Sequence, residues 1–321
     1  MAKSFDATST ADDVLEGTRL TGKRFLITGI SSGVGAETAR ALVARGAQVV
    51  GTVRSVVKAN DAIGQIRDTA VEGGGSLDVV EVDLASLTSV RAACDLVLSE
   101  ATPLDVIIAN AGVMATDFGL TDDGFETQFG TNHLGHFVLV NRLAPLLKPG
   151  GRFVSLSSNG HRGADVNLDD PNFEHSPYDR WEAYGRSKTA NALFAVEFDR
   201  RHRQRGIRAC AVMPGTSDTP LMRHLSPDDR DAVMKTIADD RAEGGAAPLV
   251  LKSVAQMAAT SVWAAVIASA DEIGGLYLEN CRVAIVDEVP GIRDGVMSYA
   301  IDPVRARQLW SRSEQMTGDQ F

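Results

Sequence analysis

Cysteine is scarce, with three in 321 residues, at Cys94, Cys210 and Cys281. They are odd in number and far apart, which gives neither a disulfide framework nor a zinc pattern. A reducing, cytoplasmic compartment is the simplest expectation. Long apolar runs are missing too. The most apolar stretch, Val254 to Ala268, is broken by Gln256, Thr260 and Ser261; it is too short to span a bilayer and reads as a buried helix. Met1 to Thr10 has no apolar core of the signal-peptide kind. Basic excess is absent: 32 Lys and Arg against 42 Asp and Glu leave a net charge of −10. That argues against a nucleic-acid partner and against an anionic membrane surface. His133 and His136 stand three apart with no nearby cysteine or acidic ligand, so no metal is expected. Trp181, Trp263 and Trp310 are scattered and read as packing residues. A last absence is local: no Asp or Glu occurs between Glu37 and Asp61.

What is present is an alternation. Apolar residues make up 44% of the chain, enough for a substantial core. Residues 1–20 are polar and without a clear period and read as an arm; residues 21–321 read as one domain. Short apolar runs at Arg24 to Thr28, Ala47 to Val53, Leu77 to Val82, Leu104 to Ala109, Arg152 to Leu156 and Ile207 to Met213 predict strands. Helical patterns fall between them, at Glu37 to Arg45, Ser86 to Glu100, Phe125 to Leu147 and Trp181 to His202. Near-continuous apolar strands suit a sheet buried on both faces. Strands alternating with helices imply an α/β fold, a doubly wound parallel sheet with helices on both sides. Residues 216–248 are charged and weakly periodic and predict a substrate lid, with Leu221, Met222 and Leu225 as its contacts.

The candidate motifs each follow a strand, where open α/β sheets bind ligands. Thr28-Gly29-Ile30-Ser31-Ser32-Gly33-Val34-Gly35 joins the first strand to a helix. Glycines there let the backbone approach a pyrophosphate, and the helix N-terminus faces the charge. Past the second strand, where an NAD site offers an acid to the ribose hydroxyls, stands Thr52-Val53-Arg54-Ser55. Arg54, helped by Lys58, can pair with a 2′-phosphate, so NADP(H) is the preferred cofactor and NAD(H) the alternative. Tyr184 and Lys188 are four apart and share one helix face. An ammonium beside a phenol favours phenolate, which makes a tyrosine a usable acid or base. Asp83-Leu84, Asn110-Ala111-Gly112 and Ser157-Ser158 complete the series.

These motifs, in this order, resemble the short-chain dehydrogenase/reductase family over nearly the whole chain. Ser158-Asn159-Gly160-His161, the long interval to Tyr184 and Gly274 to Cys281 are similar to its retinol-dehydrogenase-like branch. The resemblance implies a Rossmann-type domain, with Tyr184 as general acid/base and Lys188 lowering its pKa and binding the nicotinamide ribose. Ser158, the second of its pair, would hydrogen-bond the substrate oxygen, and Asn132 would hold a water linking Lys188 to solvent. Asp83 would contact adenine, Asn110-Ala111-Gly112 would pack beside the adenosine, and Pro214, Gly215, Thr216 and Thr219 would join the cofactor set. The implied activity is hydride transfer between nicotinamide and a carbonyl or alcohol, by a homodimer or homotetramer. A non-catalytic dinucleotide sensor and an epimerase or dehydratase are the competing classes.

Overall fold

The computed structural model describes residues 4–217 and 226–321. Six strands form where the apolar runs lie: β1 (Arg24–Thr28), β2 (Gln48–Val53), β3 (Ser76–Glu81), β4 (Leu104–Ala109), β5 (Leu147–Leu156) and β6 (Arg208–Met213). Two short strands, β7 (Tyr277–Glu279) and β8 (Arg282–Val283), were not anticipated. The strand order is β3-β2-β1-β4-β5-β6-β7-β8, parallel except for the antiparallel β7–β8 pair. The sheet is buried on both faces because its side chains alternate between two apolar layers. Phe25, Ile27, Ile108 and Val154 enter one layer, while Leu26, Ile107 and Phe153 enter the other.

Helices cover both faces: α1 (Ala11–Val14), α2 (Gly33–Val43), α3 (Asn60–Gly73), α4 (Leu87–Ser99), α5 (Thr127–Phe129), α6 (Gly135–Leu143), α7 (Arg180–His202), α8 (Pro227–Glu243), α9 (Val254–Val262), α10 (Ala270–Ile273) and α11 (Pro303–Thr317). Three stretches add to what the sequence showed. Within the N-terminal stretch a Thr10/Asp13 capping box starts α1, and Ala11, Val14 and Leu15 are buried in the core. Their apolar spacing is too short to stand out in a polar stretch. The expected helix from 125 to 147 is divided by a π turn at Gly130–Leu134 between α5 and α6. Gly135 there packs so tightly on the Leu84 carbonyl that a Cβ would overlap it. The described part of the expected lid is largely helical. Ser226 caps α8 by accepting from Asp229 N, Pro227 opens it, and Asp228 and Asp229 suit its first turn. Leu221, Met222 and Leu225 lie outside the described residues.

Among the described residues, no helix is long and apolar enough to cross a membrane.

Candidate active site

The strand order reverses at β1, between β2 and β4, and a cavity of about 1040 Å³ opens at the C-terminal ends of the strands there. Its floor is the glycine turn: Gly29, Ser31, Ser32, Gly33, Val34 and Gly35 all line it. Gly29 has a φ of +76°, and a Cβ on it would meet Ala111 at 2.8 Å. A Cβ on Gly35 would overlap the Gly29 carbonyl and the Asn110 amide. Ser32 is the N-cap of α2 yet makes no side-chain cap bond, so the first amides of α2 are left for another acceptor. This is a cradle that fits a dinucleotide pyrophosphate.

Arg54, Lys58, Asp83, Leu84, Asn110, Ala111 and Gly112 line the same cavity. Arg54 and Lys58 are exposed, and among the described residues neither is ion-paired. A carboxylate does reach this turn, from the neighbouring strand: Glu81 Oε2 accepts from Val56 N at 2.9 Å. Glu81 is not part of the cavity lining, whereas Arg54 is. The Asp83 carboxylate accepts from Ala85 N at 2.9 Å, shaping the turn before α4. Asn110 ties its strand to the next, donating to the Thr28 carbonyl at 2.9 Å.

At the far end α7 presents Tyr184 and Lys188 on one face. Its N-cap Asp179 accepts from Trp181 N and Glu182 N at 2.9 and 2.8 Å. Ser158, Tyr184 and Lys188 all line the cavity. Tyr184 stands beside Ser158, and its ring lies against Gly160, where a Cβ would come within 2.8 Å of Cδ1 and Cε1. Lys188 Nζ donates to the Leu156 carbonyl at 3.1 Å, which among the described residues leaves two of its three N–H groups. Burial pushes the Tyr184 phenol up to about 12, partly offset by the neighbouring Ser158. Burial also brings the Lys188 ammonium down to about 8. Burial is the largest influence on the Tyr184 phenol, and it acts against the lowering expected from Lys188. Lys188 Nζ sits 5.7 Å from the ring centroid, and desolvation outweighs it.

Ser157 and Ser158 differ in surroundings. Ser157 Oγ donates to the Lys188 carbonyl at 2.8 Å, while Ser158 Oγ accepts from Gly160 N at 3.1 Å and meets Tyr184. Two expected site residues lie outside the lining. Thr28 is fully buried, and its hydroxyl accepts from Asn110 N and Ala111 N at 2.9 and 3.0 Å. Asn132 is also fully buried. Its amide accepts from Val113 N at 2.8 Å and donates to the Val113 carbonyl and Ser187 Oγ, both at 2.9 Å. Gly112 brings it near Lys188: a Cβ there would lie 3.0 Å from Asn132 Oδ1 and 3.6 Å from Lys188 Nζ. Pro214, Gly215 and Thr216 line the cavity, and Thr219 lies outside the described residues.

Other lining residues carried no sequence signal. Met114 packs with Tyr184, Trp181 and Met234. Trp181 therefore belongs to the cavity as well as to the packing. Val233, Thr236 and Ile237 of α8 and Ile292 complete this wall. The start of α8 was legible in Ser226-Pro227-Asp228-Asp229, but not the side it shows to the cavity.

The family profile described as short chain dehydrogenase matches residues 23–230. The chain is 37% identical over 322 residues to a short-chain dehydrogenase/reductase of Penicillium roqueforti, covering 97% of this chain and 91% of that protein. It is 37% identical over 314 residues to retinol dehydrogenase 14 of Homo sapiens, covering 92% and 87%. A short chain dehydrogenase of Burkholderia cenocepacia solved in complex with NADP is 26% identical, with a TM-score of 0.62 over 82% of this chain and 98% of that one.

Proposed function

The chain belongs to the short-chain dehydrogenase/reductase family of oxidoreductases, and we propose that it moves a hydride between NADP(H) and a small-molecule carbonyl or alcohol, with Tyr184 as general acid/base. The observation that carries this reading is one cavity joining the glycine cradle, Arg54, and the Ser158–Tyr184–Lys188 group.

NADP(H), when bound, supplies or takes up the hydride at its nicotinamide ring. The glycine turn and the α2 amides hold the pyrophosphate, and Arg54 and Lys58 meet the 2′-phosphate. The free N–H groups of Lys188 hold the nicotinamide ribose. Tyr184, protonated at neutral pH because burial raises its pKa, donates its phenolic proton to the carbonyl oxygen in reduction. Ser158 donates a hydrogen bond to the same oxygen as negative charge develops on it. In oxidation the phenolate accepts the alcohol proton, and the ammonium of Lys188 stabilises that phenolate. Asn132 holds Val113 and Ser187 in place around Lys188 and does not touch substrate.

The preference for NADP(H) is supported by Arg54, which lines the cavity and is not ion-paired among the described residues, and by the NADP complex of the Burkholderia cenocepacia relative. The test is turnover of purified protein with NADPH and with NADH against a panel of aldehydes and ketones, followed by nicotinamide absorbance. Reduction with NADPH favoured over NADH is expected. Binding of NADPH without turnover of any carbonyl or alcohol would instead identify a dinucleotide sensor.

A further inference from the structure

His161 sits beneath the site, three residues past Ser158, and the geometry fixes which of its ring nitrogens carries the proton. Its Nε2 lies 3.2 Å from Met297 N, a backbone donor, so Nε2 is the acceptor. The proton is then on Nδ1, which lies 2.7 Å from the Ser158 carbonyl and 3.1 Å from the Tyr277 hydroxyl. Ser157 stands close enough to Tyr277 to lower its pKa, and the Ser157 proton goes to the Lys188 carbonyl at 2.8 Å. The His161 ring is fully buried and packs on Tyr277, with centroids 4.8 Å apart and planes tilted by 47°. Burial holds its pKa down to about 4, so it is neutral. Tyr299 adds a hydrogen bond from its hydroxyl to the His161 carbonyl at 2.6 Å.

We infer that His161 is a positioning residue for Ser158: its Nδ1–H holds the Ser158 backbone while its Nε2 anchors the chain at Met297. Tyr277, Met297 and Tyr299 all lie beyond the residues matched by the family profile. A segment outside the shared core thus sets the angle at which Ser158 meets the substrate oxygen. The backbone N–H of His161 also reaches the Ser158 carbonyl, at 3.0 Å. The imidazole is the second donor to that carbonyl and the one that depends on the C-terminal segment. This inference rests on the proposed role of Ser158 in carbonyl reduction.

Two substitutions separate the two ends of the ring. Asn places an amide N–H near the Nδ1 position and cannot reach Met297; Gln places an amide oxygen near Nε2 and loses the donor to Ser158. With a carbonyl that the parent reduces, His161→Gln is expected to lower kcat by about tenfold or more, since small misplacement of a reacting group is costly. Its Kd for NADPH, read by nicotinamide fluorescence, is expected to stay unchanged. His161→Asn is expected to keep kcat within about threefold while its Tm falls, because it loses only the Met297 anchor. Equal losses of kcat in both variants, a loss confined to His161→Asn, or no loss in either would overturn the inference. The 15N shifts of the His161 ring in the parent give a readout that needs no turnover, and decide the matter if a variant does not fold. An Nδ1-protonated tautomer is expected, and an Nε2-protonated one overturns the inference. A parent with the expected tautomer but no reductase activity would sink the proposed function and leave the geometry of His161 standing.

Discussion

Thr28 and His136, 108 residues apart, share a buried hydrogen bond of 2.9 Å. Thr28 Oγ1 already accepts two backbone N–H groups, so its proton goes to His136 Nε2. His136 Nδ1 then donates to the Asn132 carbonyl at 2.9 Å. One neutral imidazole thus ties the strand before the glycine turn to the π turn carrying Asn132.

Stability is expected to fall with acid because of such histidines. Burial holds His133 down to about 3, and His136 and His161 down to about 4, from 6.5. The unfolded chain binds these protons first, so stability is full above about pH 6.5 and is lost as pH falls toward about 4. Glu126 and Glu279, whose carboxyls burial pushes up, act in the opposite direction as their own range is entered. Thermal melts across this window test the sign: a Tm that stays level or rises on acidification to about 4 contradicts it.

Tyr184→Phe keeps the ring packed on Met114 and removes the proton donor. Turnover is expected to fall by about a hundredfold or more, the usual range for a positioned acid or base. NADPH binding is expected to change little. Near-parental turnover in this variant would remove Tyr184 from the mechanism.

Arg54→Ala is expected to weaken NADP by about ten- to a hundredfold while sparing NAD, the size of a lost charged hydrogen bond. Arg54→Asp is expected to reverse the preference, since a carboxylate repels the 2′-phosphate and can accept from the ribose hydroxyls. The ratio of kcat/KM for the two cofactors, measured in the parent and both variants, is the check. An unchanged ratio in Arg54→Ala ends the assignment of this residue.

Gly160→Ala drives a methyl group into the Tyr184 ring, 2.8 Å from two of its carbons. The ring is expected to shift, with kcat down by about tenfold or more while NADPH binding persists. Parental kcat in a folded variant would show that the contact tolerates a methyl.

The pH profile of reduction follows from the two buried groups. With Tyr184 pushed up to about 12, its proton is present throughout the neutral range, so kcat/KM is expected to be level there. It is expected to fall above about 8, where Lys188 loses its charge. Lys188→Arg, which stays charged, is expected to abolish that fall even if the rate is lower throughout. The same alkaline fall in Lys188→Arg would assign it to another group.

By itself the sequence determined what depends on nearest neighbours along the chain. The apolar runs of β1, β2 and β4 are local, and a strand buried on both faces needs nothing else to be recognised. The glycine turn is local for the same reason, since backbone freedom belongs to Gly29 and Gly35 themselves. So is the shared face of Tyr184 and Lys188, because helical spacing places them there. Tertiary structure decided what depends on partners distant in sequence. The surroundings of Ser157 and Ser158 part only when Lys188 closes on the one and Gly160 and Tyr184 on the other. Glu81 reaches the turn of Arg54 only through the pairing of β2 with β3. The burial that pushes the Tyr184 phenol up was not legible either, because desolvation is set by the whole surrounding core, whereas a four-residue spacing sets only which charges are near.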